Sequence, residues 1–174
     1  MNGFLLLVPF LLIRFGILSI FNDNNAIQRA AHFPPMVGKE RLVYWIYQIL
    51  NIMIFVYLYF LTVKIDFSWL FYSGLVIYLL GLILCTISIV NYGKPTDDGL
   101  NINGIYRISR HPMYLSYFVC FIGCAILTRS LVLGGIVIIF QFASHYIILY
   151  EERWCIERFG DEYKRYMNEV RRYI

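Results

Sequence analysis

Residues 112–150 read PMYLSYFVCFIGCAILTRSLVLGGIVIIFQFASHYIILY. Two apolar runs, 112–128 and 131–150, are joined only through Thr128, Arg129 and Ser130. A helix needs about 20 apolar residues to cross a bilayer. Each run approaches that length, and a connection so short predicts an antiparallel helical hairpin. Upstream, further apolar runs cover 4–20, 42–63 and 69–91. The pattern predicts an all-α integral membrane protein. It has about five transmembrane helices, ending in the hairpin and then an amphipathic cytoplasmic helix.

Composition agrees. The 174 residues are 60% hydrophobic and 15% charged, with a mean hydropathy of +0.64. A soluble domain is closer to half apolar and a quarter charged. The length suits a single domain, 1–174. The first run contains Arg14, but the preceding Met-Asn-Gly carries no positive charge and no clear cleavage site follows. The run therefore reads as a retained span rather than a signal sequence.

The basic residues predict orientation. Arg29, Lys39, Arg41, Lys94, Arg107, Arg110, Arg153, Arg158, Lys164, Arg165, Arg171 and Arg172 fall on one side of the membrane, and Lys64 and Arg129 on the other. The charge-rich side should be cytoplasmic, with the N-terminus outside. The formal charge of +4 then belongs to a membrane rim, and no nucleic-acid partner is expected.

The fifth run continues through Glu151, Glu152, Arg153 and Trp154 to Phe159 and should stop at Gly160. Asp161 can cap a further helix. That helix carries Tyr163, Tyr166, Met167, Val170 and Ile174 on one stripe, apolar toward lipid or toward the bundle. Cys85, Cys120, Cys124 and Cys155 read as packing residues, and no metal site is expected. Arg14 reads as paired or snorkelling, and His32 as a loop residue. Gly74 and Gly81 permit a close helix approach within the bundle or between chains.

Two polar clusters flank the hairpin: RISRHPMY at 107–114 and YEERW at 150–154. An antiparallel hairpin returns both to one level. As structure, they are an ion pair of Glu151 or Glu152 with Arg107 or Arg110. As a site, they are more. Pro112 suits the first turn of a helix, whose free N–H groups and positive dipole end attract a carboxylate or phosphate. His111 and the arginines add the same sign. Glu151 and Glu152 offer acceptors for hydroxyls or an ammonium, and Tyr106, Tyr114 and Trp154 supply flat walls. A zwitterionic ligand with a ribose and an aromatic base fits this description. S-adenosylmethionine has those features, and a nicotinamide dinucleotide meets several.

The segment NGIYRISRHPMY, followed after the hairpin by EERWCIERFGDEYKRYMNEVRR, resembles the isoprenylcysteine carboxyl methyltransferase family. That family is related in its C-terminal half to phospholipid N-methyltransferases. The likeness covers about residues 88–174, while 1–87 support only the pattern of spans. It implies an S-adenosyl-L-methionine-dependent methyltransferase acting on a lipophilic acceptor at the cytoplasmic face. By position it implies cofactor contacts from Asn91, Gly99, Leu100, Asn101, Tyr106, His111, Pro112, Met113, Tyr114 and Glu151, with Arg110 and Glu152 as catalytic candidates. His145, Ile147 and Arg153 are the substrate-side candidates. Ser116 stands where glycine is frequent in the family. Ile147 replaces an arginine one turn before the cofactor-binding acid, a residue suited to a substrate carboxylate.

A carboxylate acceptor, with a pKa of about 3.5, needs a cation to orient it and no base. An amine must first lose a proton, for which His111, His145, Glu151 or Glu152 are available. Phospholipid or other amine N-methylation and thiol S-methylation therefore stand as alternatives. So do an NADPH-dependent sterol-type reductase, which shares RHPxY, and a non-catalytic membrane scaffold.

Overall fold

The computed structural model describes residues 1–17, 38–93 and 99–173. Arg29, His32, Lys94 and Ile174 lie outside the described residues, as does the end of the first predicted span. Among the described residues six helices follow in order: α1 (Gly3–Gly16), α2 (Lys39–Phe60), α3 (Trp69–Tyr92), α4 (Pro112–Thr128), α5 (Leu131–Phe159) and α6 (Asp161–Glu169). A 3-10 turn at Gly104–Arg107 precedes α4. Among the described residues there are no strands, only an isolated bridge between Asn2 and Thr62. Three helices, within α2, α3 and α5, are long and apolar enough to cross a membrane; α1 and α4 are apolar but shorter.

The second predicted span ends early. Leu61 is extended, and Leu61–Val63 pair with the chain start through Gly3 N–H to Leu61 O (2.8 Å) and Val63 N–H to Met1 O (2.7 Å). The Asn2 amide donates to Tyr59 O at 3.0 Å. Helix-end carbonyls lack intrahelical donors, and here the N-terminal residues supply them. Hydropathy could not register this exchange, because Leu61 and Val63 are apolar in either conformation.

The hairpin forms as predicted. Arg129 takes a left-handed conformation (φ 52°) and Ser130 caps α5 by accepting from Leu133 N–H. Yet α4 packs most extensively on α3, and α5 on α2. Glycines explain the first pairing. A Cβ on Gly81 would lie 2.5 Å from Cys120 Cα, and one on Gly123 would lie 2.5 Å from Tyr78 N. Gly74 faces Ile126 and Leu127 in the same way. Between helices in lipid, such close backbone contact is a main source of association. Hydroxyls along these helices are satisfied internally: Thr86, Ser88, Thr128 and Ser144 each donate to a carbonyl four residues back. This suits a medium without water.

Helix α1 leans on the rest through Tyr78, whose hydroxyl donates to Leu6 O at 2.6 Å, and through Phe10, whose ring meets those of Tyr117 and Phe121 at 5.2 Å. Its regularity fails twice. Pro9 has no N–H to donate, and Leu12–Gly16 widen into a π turn that carries Arg14.

Gly160 (φ 58°) ends α5 as expected. Asp161 is the first residue of α6 rather than its cap. Gly160 occupies the cap position with no side-chain bond, while Asp161 pairs with Lys164 at 2.9 Å. The carboxylate still sits favourably at the positive end of the helix dipole. The apolar stripe of α6 faces protein. Tyr163 and Tyr166, with Val170 just past the helix end, form a satellite core with Leu100, lined by Ile102, Ile156 and Phe159.

Candidate functional site

The site begins at the entry to α4. Pro112 occupies the first turn and His111 the cap position. The His111 N–H donates to Ser109 Oγ at 3.3 Å, which fixes the approach of the chain. Across the hairpin, Glu151 and Glu152 are neighbours on α5 and so point about 100° apart.

That rotation gives them different surroundings. Glu151 accepts a 2.5 Å hydrogen bond from Tyr114 Oη and lies 3.7 Å from His111 Nδ1, with 24% of its side chain exposed. Glu152 is 4% exposed and pairs with Arg110 at 2.9 Å and Arg172 at 2.7 Å. Arg172 Nε reaches both carboxylate oxygens at 3.1 Å. His111 Nε2 is 3.3 Å from Glu152, close enough for charge attraction although not aligned as a hydrogen bond. The imidazole thus stands between two acids, one open and one saturated.

Arg172 was expected on the amphipathic helix after Gly160, but that helix ends at Glu169 and Arg172 belongs to the tail beyond it. After α6 the chain turns extended at Val170 and runs back over the site. Arg110 N–H donates to Arg171 O at 3.0 Å, Arg110 Nη1 to Met167 O at 3.0 Å, and Ser109 Oγ to Arg172 O at 3.2 Å. The Tyr173 hydroxyl meets His145 Nδ1 at 2.8 Å. The adjacent Glu152 carboxylate holds the Arg172 guanidinium above its ordinary pKa. A basic pair at the end of an amphipathic helix reads as solvated charge. The one available hint was a second arginine pair to match the two glutamates.

The preceding loop completes the wall. Tyr106 is buried; its carbonyl accepts from Tyr166 Oη at 2.6 Å, and its ring lies 6.5 Å from that of Tyr92. Its own hydroxyl is buried without a hydrogen-bond partner, as is Asn101 Oδ1. Burial pushes the Tyr106 phenol well above its usual pKa, so it remains a neutral hydroxyl. Gly104 has φ 58°, and a Cβ there would strike the Asn91 amide. Asn91 in turn donates to Ile87 O at 2.7 Å. The glycine therefore lets the 3-10 turn seat on the end of α3. Gly99 is also left-handed (φ 85°), and Leu100 anchors the loop in the satellite core.

The substrate-side candidates do not join this cluster. Ile147 is fully buried in the main core. Arg153 extends away to Glu40 on α2 at 2.5 Å. His145 is engaged by the tail. The four thiols are free, with Cys85, Cys120 and Cys124 buried. Among the described residues no three His, Cys, Asp or Glu side chains converge in a way that could hold a metal ion.

Apolar helices of membrane-spanning character, closed at one end by a polar cluster around a proline-started helix, place the chain in the class of helical membrane proteins. Within it the chain belongs to the phospholipid methyltransferase family, whose model matches residues 69–162. It is 40% identical over 85 residues to the protein-S-isoprenylcysteine O-methyltransferase of Saccharomyces cerevisiae, covering 47% of this chain and 35% of that protein. It is 36% identical over 67 residues to methanethiol S-methyltransferase 1 of Bradyrhizobium diazoefficiens, covering 38% of this chain and 22% of that one. The similarity thus spans about a third of the first relative and about a fifth of the second. No solved structure matches.

Proposed function

We propose that this membrane methyltransferase is S-adenosyl-L-methionine-dependent and resembles the isoprenylcysteine carboxyl O-methyltransferases, methylating a lipophilic acceptor at the cytoplasmic face. The observation that carries this reading is the Tyr114–Glu151–His111 cluster at the start of α4, beside buried polar atoms that lack partners. The Tyr106 hydroxyl and Asn101 Oδ1 are such atoms, and each suits a polar ligand edge. Tyr106, Tyr114 and Tyr92 provide flat surfaces for an aromatic base, and the residues present therefore fit the cofactor.

When bound, S-adenosylmethionine supplies an electrophilic methyl group, so the protein's task is mainly alignment. Glu151 holds a ribose hydroxyl or the ammonium on the carboxylate that Tyr114 steadies. The positive end of α4, at His111, Pro112 and Met113, takes the ligand carboxylate. Asn91, Gly99, Leu100 and Asn101 contribute the remaining contacts to it. Arg110 and Glu152 satisfy each other and the tail, and we assign them a positioning role rather than a catalytic one. The chain is read as one domain of about five spans, with the tail on the cytoplasmic side.

Titration calorimetry of the detergent-purified full chain with S-adenosylhomocysteine tests this reading; absence of binding up to millimolar ligand would overturn it. The acceptor is decided by incubation with labelled S-adenosylmethionine and a prenylcysteine, a phosphatidylethanolamine and small thiols. The thiol arm is included because one relative is a methanethiol S-methyltransferase. An NADPH-dependent reductase would instead be stabilised against heat by NADPH and not by S-adenosylhomocysteine, and a scaffold by neither.

A further inference from the structure

Arg14 is a cation that the site described above does not use. It lies in the π turn Leu12–Gly16 of α1, and such turns are rare and concentrated at functional sites. Nη1 donates to Met113 Sδ at 3.5 Å, and the guanidinium covers the Tyr117 ring at 5.3 Å. Tyr47, Tyr114 and Cys85 are its other electrostatic neighbours, and Glu151 is within its electrostatic reach. No carboxylate among the described residues pairs with it.

Four of the other arginines at the two ends of the bundle are already paired with carboxylates. Arg110 and Arg172 bind Glu152, Arg129 binds Asp66, and Arg153 binds Glu40. A guanidinium has five donors in a planar fork. Arg14 directs one of them to a thioether, a weak acceptor, and its nearest other polar group is the neutral Tyr117 side chain. A charge among apolar helices with no carboxylate partner among the described residues is costly and marks a functional position by default. Contacts with Met113 and Tyr117 place it against α4, the helix that carries cofactor candidates, beside the turn that holds Tyr114. An acceptor whose tail stays in the bilayer would bring its head group past this point.

Building on the methyltransferase reading, we propose that Arg14 binds the oxyanion of a lipid acceptor, carboxylate or phosphate, and orients the head group toward Glu151 and Tyr114. Arg14 thereby takes a task that the buried Ile147 and the diverted Arg153 do not perform.

The test is affinity of the full chain in nanodiscs for matched pairs of probes. One arm compares N-acetyl-S-farnesylcysteine with its methyl ester, the other dodecyl phosphate with dodecanol. Wild type is expected to favour the anion by about tenfold or more, the worth of a charge-assisted hydrogen bond. The arm in which this occurs separates a carboxylate acceptor from a phospholipid head group. Arg14→Gln should abolish the preference while S-adenosylhomocysteine affinity stays within about threefold, less than 1 kcal/mol. Arg14→Lys, which keeps the charge without the fork, should reduce the preference without erasing it. Equal binding of anion and neutral probe by wild type in both arms overturns the proposal. So does a preference that both variants retain in full, which also covers the case where Arg14→Gln folds poorly. Failure of wild type to bind S-adenosylhomocysteine would instead remove the methyltransferase reading, and the probe pairs would still decide on Arg14.

Discussion

At one end of the bundle Arg129 pairs with Asp66 and also donates to Ser68 at 2.8 Å. The two charged side chains are 40% and 41% exposed. At the other end Arg110 and Arg172 pair with Glu152, which is 4% exposed. Both ends join a loop to a helix terminus by an arginine–carboxylate bond. The second buries its carboxylate and Arg110 while leaving Arg172 partly exposed, and there a histidine, a second acid and a folded-back tail gather around the pair. The far end is fastened. The near end is fastened too, but beside Glu151, which stays half-open and carries the hydroxyl of Tyr114. A lock and the proposed site therefore sit one residue apart, separated by the rotation of a helix.

The largest effect should come from breaking the lock. Glu152→Ala leaves Arg110 buried without its counter-charge and releases Arg172. Removing one partner of a buried pair costs about 3–5 kcal/mol. The lower part of that range applies here, because Arg172 is 30% exposed and can turn to water. Thermal unfolding in detergent should show a large fall in melting temperature. A wild-type-like melt would mean that the tail does not hold the near end.

Glu151→Gln should do the opposite. It keeps an acceptor for Tyr114 and lies outside the saturated pair, so the melting temperature should change little. Loss of a charged acceptor should weaken S-adenosylhomocysteine binding by about tenfold or more. Calorimetry beside a Lys64→Ala control checks this. Equal affinities in the two variants would remove Glu151 from the site and leave the near end with fastening alone.

Much of this was legible before any coordinates. Hydropathy located α3 and α4 almost to the residue, and the brevity of Thr128–Ser130 brought His111, Tyr114 and Glu151 to one level. Glycines at 74 and 81 announced a close approach without naming its partner, since Gly123 on α4 contributes from the other side. What escaped were contacts made by residues whose type has an adequate local explanation. Leu61–Val63 look like helix because they are apolar, and the tail arginines look solvated because they end an amphipathic helix. Arg14 looked like a paired or snorkelling side chain. Its turn toward Met113 and Tyr117 depends on a π geometry that follows from no propensity. The split between Glu151 and Glu152 was equally hidden, because adjacent identical residues differ only by what packs on each helix face.

The smallest effect should be at the far end. Arg129→Ala removes an exposed pair that water can replace, so the melting temperature should not separate from wild type. S-adenosylhomocysteine affinity should not move, because the hairpin turn lies at the end of α4 and α5 away from Glu151. The pH dependence has a definite sign. The Ser68 hydroxyl, helped by Arg129, holds the Asp66 carboxyl below its ordinary value. A depressed carboxyl contributes stability that is fully present above the unfolded pKa of about 3.9 and is lost as pH falls through the folded one. The melts of wild type and Arg129→Ala should therefore coincide more closely still in acid than at neutral pH. A clear loss of stability or affinity in Arg129→Ala at neutral pH would show that the two ends are coupled through α4 and α5, so that the exposed end does more than fasten.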